Sequence, residues 1–131
     1  MKKPQKLTSL EWEIMHVIWK FNEFPVTVRQ VLEKAYPKGE KAYTTVQTIM
    51  NHLTEKGFVA RQKIGPVNVY RPRISAREIR NKEADRFVER VFDGSFFSLA
   101  NFLLSSDQLS EEELDKLKTL LNQKKGGQSS D

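Results

Sequence analysis

The 131-residue chain has no cysteine, which excludes disulfides, thiolate catalysis and the thiolate sites that hold zinc or copper. Only two histidines are present, His16 and His52, far apart and on different predicted helices, so no metal is expected. No apolar run approaches the ~18 residues that would span a bilayer. The start MKKPQKLTSLEWE is basic, but no apolar region follows it, so neither a signal peptide nor a membrane anchor is expected. The expected compartment is the cytoplasm. Catalytic signatures are missing too: there is no H-E-x-x-H, no G-x-S-x-G, no phosphate-cradling glycine loop and no pair of carboxylates in an apolar setting. The run Glu111-Glu112-Glu113 reads as a helix start, where negative charge is favoured by the helix dipole. Neither an enzyme nor a cofactor is implied.

What the chain does have is unevenly spread charge. Residues 1–74 hold 13 Lys or Arg against 6 Asp or Glu, whereas residues 75–131 hold 9 against 11. A basic first part joined to a mildly acidic second part suggests that the first meets a polyanion and the second meets protein.

Helix signals fill the first part. Thr8-Ser9-Leu10-Glu11 fits a capping box, and Leu10, Ile14, Val17, Ile18 and Phe21 recur at helical spacing, predicting a helix from about Ser9 to Phe21 with Trp12 and Trp19 as core. Thr27 to Gln30 forms a second capping box for a short helix to about Ala35. AYTTVQTIMNHLTEKGFV, Ala42 to Val59, predicts a third helix that begins near Tyr43 or Thr44 and stops at Gly57. Its Val46, Ile49, Met50 and Leu53 share one side, and Thr44 or Thr45 is the expected N-cap. Residues 58–64 and 67–71 alternate as strands around Gly65-Pro66, a hairpin too short to stand alone. Three helices followed by a hairpin give the order of a winged helix-turn-helix domain over 1–74.

The second part reads as helical throughout. Ser75 to Glu78 is a third capping box, opening a long helix in which Ile79, Phe87, Val88, Val91 and Phe92 are expected to point inward. Phe96 to Leu104 is apolar on nearly every side, and a last helix carries Leu114, Leu117, Leu120 and Leu121. Such helices in fewer than ~60 residues cannot bury their apolar surface within one subunit, and a two-fold dimer is the simplest cover. The expected interface draws Phe87 and Val91 from the long helix, Phe96, Phe97, Leu99 and Leu103 from the next, and Leu117, Leu120 and Leu121 from the last. The fold class is thus mainly α with a small β-hairpin wing: a winged-helix domain over 1–74, a three-helix dimerisation region over 75–123, and a disordered tail over 124–131.

In this arrangement the third helix enters the major groove of double-stranded DNA. Thr44 and Thr45 stand where unpaired amides attract phosphate, and Thr48 lies on the same polar face. Short hydroxyls donate to phosphate or set a methyl against thymine, while Gln47 and Asn51 can make bidentate contacts to adenine. Lys41 before the helix, and Arg61, Lys63 and Arg71 on the hairpin, are placed for backbone phosphate. Tyr70 reads as a packing residue of the hairpin.

From Leu7 to Asn122 the chain resembles the penicillinase repressors of the BlaI/MecI type, with the copper-responsive CopY repressors as their relatives. The resemblance rests on LTSLEWEIMHVIW, AYTTVQTIMNHLTEKGFV, VYRPRIS, FDGSFFSLANFL and LSEEELDKLKTLLN, in that order and spacing. It implies a homodimer on a palindromic operator that represses β-lactam resistance genes until a membrane-bound sensor-protease system triggers proteolysis. The family's Asn-Phe cut corresponds to Asn101-Phe102 here. Two departures stand out. Where staphylococcal-type members have Lys and Arg on the third helix, this chain has Thr44, Gln47 and His52, so the operator sequence does not carry over. The tail KKGGQSSD lacks the cysteines of the copper-responsive members, which disfavours copper control. The competing readings are a DNA-binding regulator of another operon without a β-lactam sensor, and a winged-helix protein-interaction module. The basic balance of 1–74 and the polar third helix argue against the second.

Overall fold

The computed structural model describes residues 6 to 129; the first five residues of the expected 1–74 domain and the last two of the expected tail lie outside the described residues. The elements are α1 (Ser9–Trp19), β1 (Val26–Thr27), α2 (Val28–Ala35), α3 (Tyr43–Glu55), β2 (Val59–Ile64), β3 (Val67–Pro72), α4 (Ala76–Phe92), α5 (Phe96–Ser105) and α6 (Glu111–Ser129). The fold is mainly helical with a small antiparallel sheet, and the chain divides into two units between Arg80 and Asn81.

In the first unit, two capping boxes set the helix starts. Thr8 accepts from the Glu11 amide at 3.2 Å while the Glu11 carboxylate accepts from the Thr8 amide at 2.9 Å. Thr27 and Gln30 repeat the exchange at 3.1 and 2.8 Å. α1 stops at Trp19, short of the expected Phe21, because the Phe21 amide turns back to the Ile18 carbonyl in a tightened last turn. α3 ends in a Schellman motif: Gly57 takes φ 86°, its amide bonds to the Thr54 carbonyl, and the Phe58 amide reaches the Leu53 carbonyl at 2.9 Å.

The wing has a third strand that the sequence pattern does not reveal. β1 pairs with β3 through Val26 with Tyr70 and Thr27 with Val69, giving the order β1-β3-β2. Two residues are too few to display a period of two. Their effect is larger than their length, since Thr27 closes the strand and caps α2, fixing the start of α2 to the wing. At the tip, Gly65 has φ 59°, the positive value that the first position of a type II′ hairpin turn requires.

Ile14, Met15 and Ile18 of α1, Val31 of α2, and Val46, Met50 and Leu53 of α3 meet Val59 and Tyr70 of the sheet in one buried cluster. The Trp19 indole N–H donates to the Ile74 carbonyl at 3.0 Å, tying α1 to the exit of β3. Tyr36, 8% exposed, donates its hydroxyl to Glu13. Burial first, then the bond to Glu13 and the negative charges of Glu13 and Glu40, push the phenol up to about 12. Ile79 also belongs to this cluster, so the first turn of α4 is part of the winged-helix unit and the boundary falls after Arg80 rather than at the expected 74.

In the second unit Val88 is buried, but Phe87 and Val91, expected to point inward along α4, are exposed. The Phe92 ring stands 5.9 Å from those of Phe87 and Phe102, centre to centre. α5 has no buried residue. α6 continues to Ser129, against the expectation of a disordered tail from 124; Gly126 and Gly127 weaken a helix by about 1 kcal/mol each but, unlike proline, remove no backbone donor from its ladder. Among the described residues, no helix is long and apolar enough to cross a membrane.

Candidate nucleic-acid interface

α3 is the element whose polar side stays open. Val46, Ile49, Met50 and Leu53 are buried, which turns Thr44, Thr48, Asn51 and their neighbours outward. The expected threonine cap is not there. Ala42 occupies the N-cap with extended backbone and no side-chain cap bond, and its carbonyl receives the Thr45 amide at 3.1 Å. Thr44 and Thr45 are therefore the second and third residues of the helix itself, and neither hydroxyl serves as its N-cap.

Two clefts flank the helix. One, of ≈ 330 Å³, lies between α2, α3 and the wing and is lined by Thr27, Arg29, Tyr43, Gln47, Asn68 and Tyr70 among others. Gln47 thus stands at its wall, half-buried, and the Arg29 guanidinium sits 5.4 Å from the centre of the Tyr43 ring. Arg29, Tyr43 and Asn68 add polar groups beside α3 that helical spacing alone does not single out, since they come from three different elements. The other cleft, of ≈ 420 Å³, brings Thr44, Thr45, Thr48 and His52 together with Thr8 and Leu10 at the start of α1.

The wing contributes unequally. Side chains alternate across a strand and cross-strand partners share a face, so the register Arg61 with Tyr70 and Lys63 with Asn68 sets Arg61 and Lys63 on one face, while Arg71, paired with Ala60, lies on the other. The three basic residues expected to act together are therefore divided. All three are exposed, and Lys41 is half-buried. Arg61 reaches α3 directly: its Nη1 donates to Asn51 Oδ1 at 2.9 Å.

The far end of α3 is held by a buried acid. Glu11 is 3% exposed. Its carboxylate accepts from Lys56 Nζ at 2.6 Å and faces His52 Nδ1 at 3.8 Å. Burial works against its charge, but the bonds from Lys56 and the Thr8 amide, with the charges of Lys56 and His52, outweigh that and hold the carboxyl below its ordinary value. His52 is thereby turned toward α1. Among the described residues no group of three or more His, Cys, Asp or Glu is placed to hold a metal ion.

Three helices, a sheet-anchored wing and an open polar face on the third helix define a winged helix-turn-helix protein of the DNA-binding class. Over residues 7–123 the sequence matches the penicillinase repressor family, and the chain belongs to that family. It is 30% identical to the penicillinase repressor of Bacillus licheniformis over 125 residues, covering 95% of this chain and 96% of that protein. It is 27% identical to the methicillin resistance regulatory protein MecI of Staphylococcus aureus (strain N315) over 122 residues, 93% of this chain and 98% of that one. The solution structure of the DNA binding domain of the repressor BlaI superposes with a TM-score of 0.50 at 31% identity, covering 60% of this chain and 93% of that one. The protein is a DNA-binding transcriptional repressor, and its family is not one of enzymes.

Proposed function

We propose that the protein represses as a homodimer on a palindromic operator of the β-lactam resistance type, with α3 of each subunit in the major groove, and that proteolysis at Asn101-Phe102 ends repression. The observation that carries the dimer is the open apolar face of the second unit. Phe97 is 79% exposed, and Phe96, Leu104, Leu120 and Leu121 are each more than half exposed. Leu103, Leu109, Leu114 and Leu117 line an apolar groove of ≈ 420 Å³ between α5 and α6. A contiguous apolar surface of this kind on a charged, basic protein needs a cover, and a second copy provides a self-complementary one. Phe87, Val91 and Leu117 extend the exposed patch, and Leu99 and Leu103 sit half-buried within it. Each subunit then engages one half-site, and linkage of the two raises affinity well above that of a single domain.

The Asn101-Phe102 bond lies in the middle of α5, where the Ser105 hydroxyl donates to the Asn101 carbonyl at 2.8 Å. A protease that takes extended backbone needs this helix locally opened. Cutting there parts each DNA-binding domain from α6 and weakens the dimer. Sedimentation at micromolar concentration, together with mobility shifts on the protein's own promoter across salt concentrations, tests the first half; a monomer, or no discrimination over random duplex, overturns it. Mass spectrometry of repressor from cells induced with a β-lactam tests the second, where intact chain throughout derepression overturns cleavage.

A further inference from the structure

We infer that Arg61 sets the base preference of Asn51: by holding the amide oxygen toward the wing, it leaves the pair only donors to offer the groove and selects guanine over adenine. This rests on the proposed docking of α3 in the major groove.

The contact is specific in its chemistry. Arg61 Nη1 lies 2.9 Å from Asn51 Oδ1, and a guanidinium carries donors alone. Only the oxygen end of the amide can face it, so the orientation of Asn51 is fixed by its partner. The two residues come from different elements, α3 and β2, and meet because the wing folds back beside the helix.

An asparagine that reads adenine must bring its oxygen to the N6 amino group and its amide N–H to N7 along one edge. The oxygen has two lone pairs; with Arg61 on the one along the amide edge that adenine N6 would need, as the inference requires, that side-by-side presentation is lost. The pair would then offer the groove the Asn51 NH₂ group and the remaining N–H groups of Arg61, all of them donors. Such a surface meets two acceptors on guanine, N7 and O6. On adenine it meets one acceptor and a clashing amino group, and on cytosine a donor. Arg61 in this role is a positioning residue for Asn51, in addition to any phosphate it neutralises.

Selection from a random duplex library with full-length wild type, Arg61→Gln, Arg61→Lys and Asn51→Ala tests the inference, with circular dichroism confirming each fold. Wild type should prefer guanine at one position per half-site, and Asn51→Ala should lose that preference. Arg61→Lys, still a pure donor, should retain it. Arg61→Gln, which can accept as well as donate, should free the Asn51 amide to turn and shift that position toward adenine, reducing the guanine preference by about ten-fold. A uniform loss of affinity in Arg61→Gln with every base preference unchanged would make Arg61 a phosphate contact only and overturn the inference. So would selection of adenine by wild type at the Asn51-dependent position. If wild type selects no sequence at all, the operator reading itself fails.

Discussion

Replacing Glu11 with alanine should unfold the winged-helix unit far below the wild-type temperature, although Glu11 lies in the first turn of α1 rather than on α3. The carboxylate sits 3% exposed and joins the start of α1 to the end of α3. It accepts from the Thr8 amide at 2.9 Å and from Lys56 Nζ at 2.6 Å, with His52 Nδ1 at 3.8 Å. Removing it takes away one arm of a capping box, about 1 kcal/mol. It also strands the Lys56 ammonium; breaking a fully buried pair costs about 3–5 kcal/mol, but Lys56 is 20% exposed and keeps the Lys6 carbonyl at 2.8 Å, so the lower end applies. The sum is about 3–4 kcal/mol, or about 12–30 °C for a unit of this size. Glu11→Gln keeps the backbone bond and loses the charge, so about half the effect is expected. The pH dependence separates the two contributions. Because the folded carboxyl titrates below the unfolded 4.5, its stabilisation is complete above the unfolded value and is lost as pH falls through the folded one. Glu11→Gln should flatten that acid limb. Thermal melts followed by tryptophan fluorescence report on this unit alone, since both tryptophans, Trp12 and Trp19, lie in α1. A fall of less than about 3 °C in Glu11→Ala, or an unchanged acid limb in Glu11→Gln, would refute the reasoning.

Tyr36 gives the opposite pH signature: its folded value of about 12 exceeds the unfolded 10.0, so its contribution of about 2–3 kcal/mol is present below pH 10 and lost between 10 and 12. Alkaline unfolding of Tyr36→Phe, followed by circular dichroism, should lack that limb. Phe97→Glu, at a side chain 79% exposed in the single chain, should leave helix content unchanged while sedimentation shifts to monomer and operator affinity falls about 100-fold. Lys63→Ala should weaken all duplexes alike and lower the slope of log affinity against log salt by about 0.9.

Much of this protein can be read from local pattern. The capping boxes at Thr8 and Thr27 declare themselves at a three-residue interval, and the spacing of Val46, Ile49, Met50 and Leu53 is enough to tell which side of α3 is buried. What escapes is what depends on residues distant in sequence. The buried acid at Glu11 looks like an ordinary capping-box partner, because Lys56 is 45 positions away. Asn51 looks like a free adenine reader, because spacing within a helix carries no information about a guanidinium arriving from a strand. The threonines at 44 and 45 look like caps because of their residue type, yet the turn that starts the helix is set one residue before Tyr43. The division of Arg71 from Arg61 and Lys63 follows from strand register, which only the paired sheet fixes.

The uncapped start of α3 has a practical consequence for anyone engineering this repressor. Ala42→Asp would place an acceptor at the helix start and raise stability by about 1 kcal/mol. Under the proposed docking of α3, the same carboxylate would stand beside the Thr44 and Thr45 amides and repel an approaching DNA strand. A screen that ranks variants by heat resistance would therefore favour a substitution that makes the protein harder to melt and slower to find its operator. At residue 42, selection for durability and selection for gene silencing pull in opposite directions.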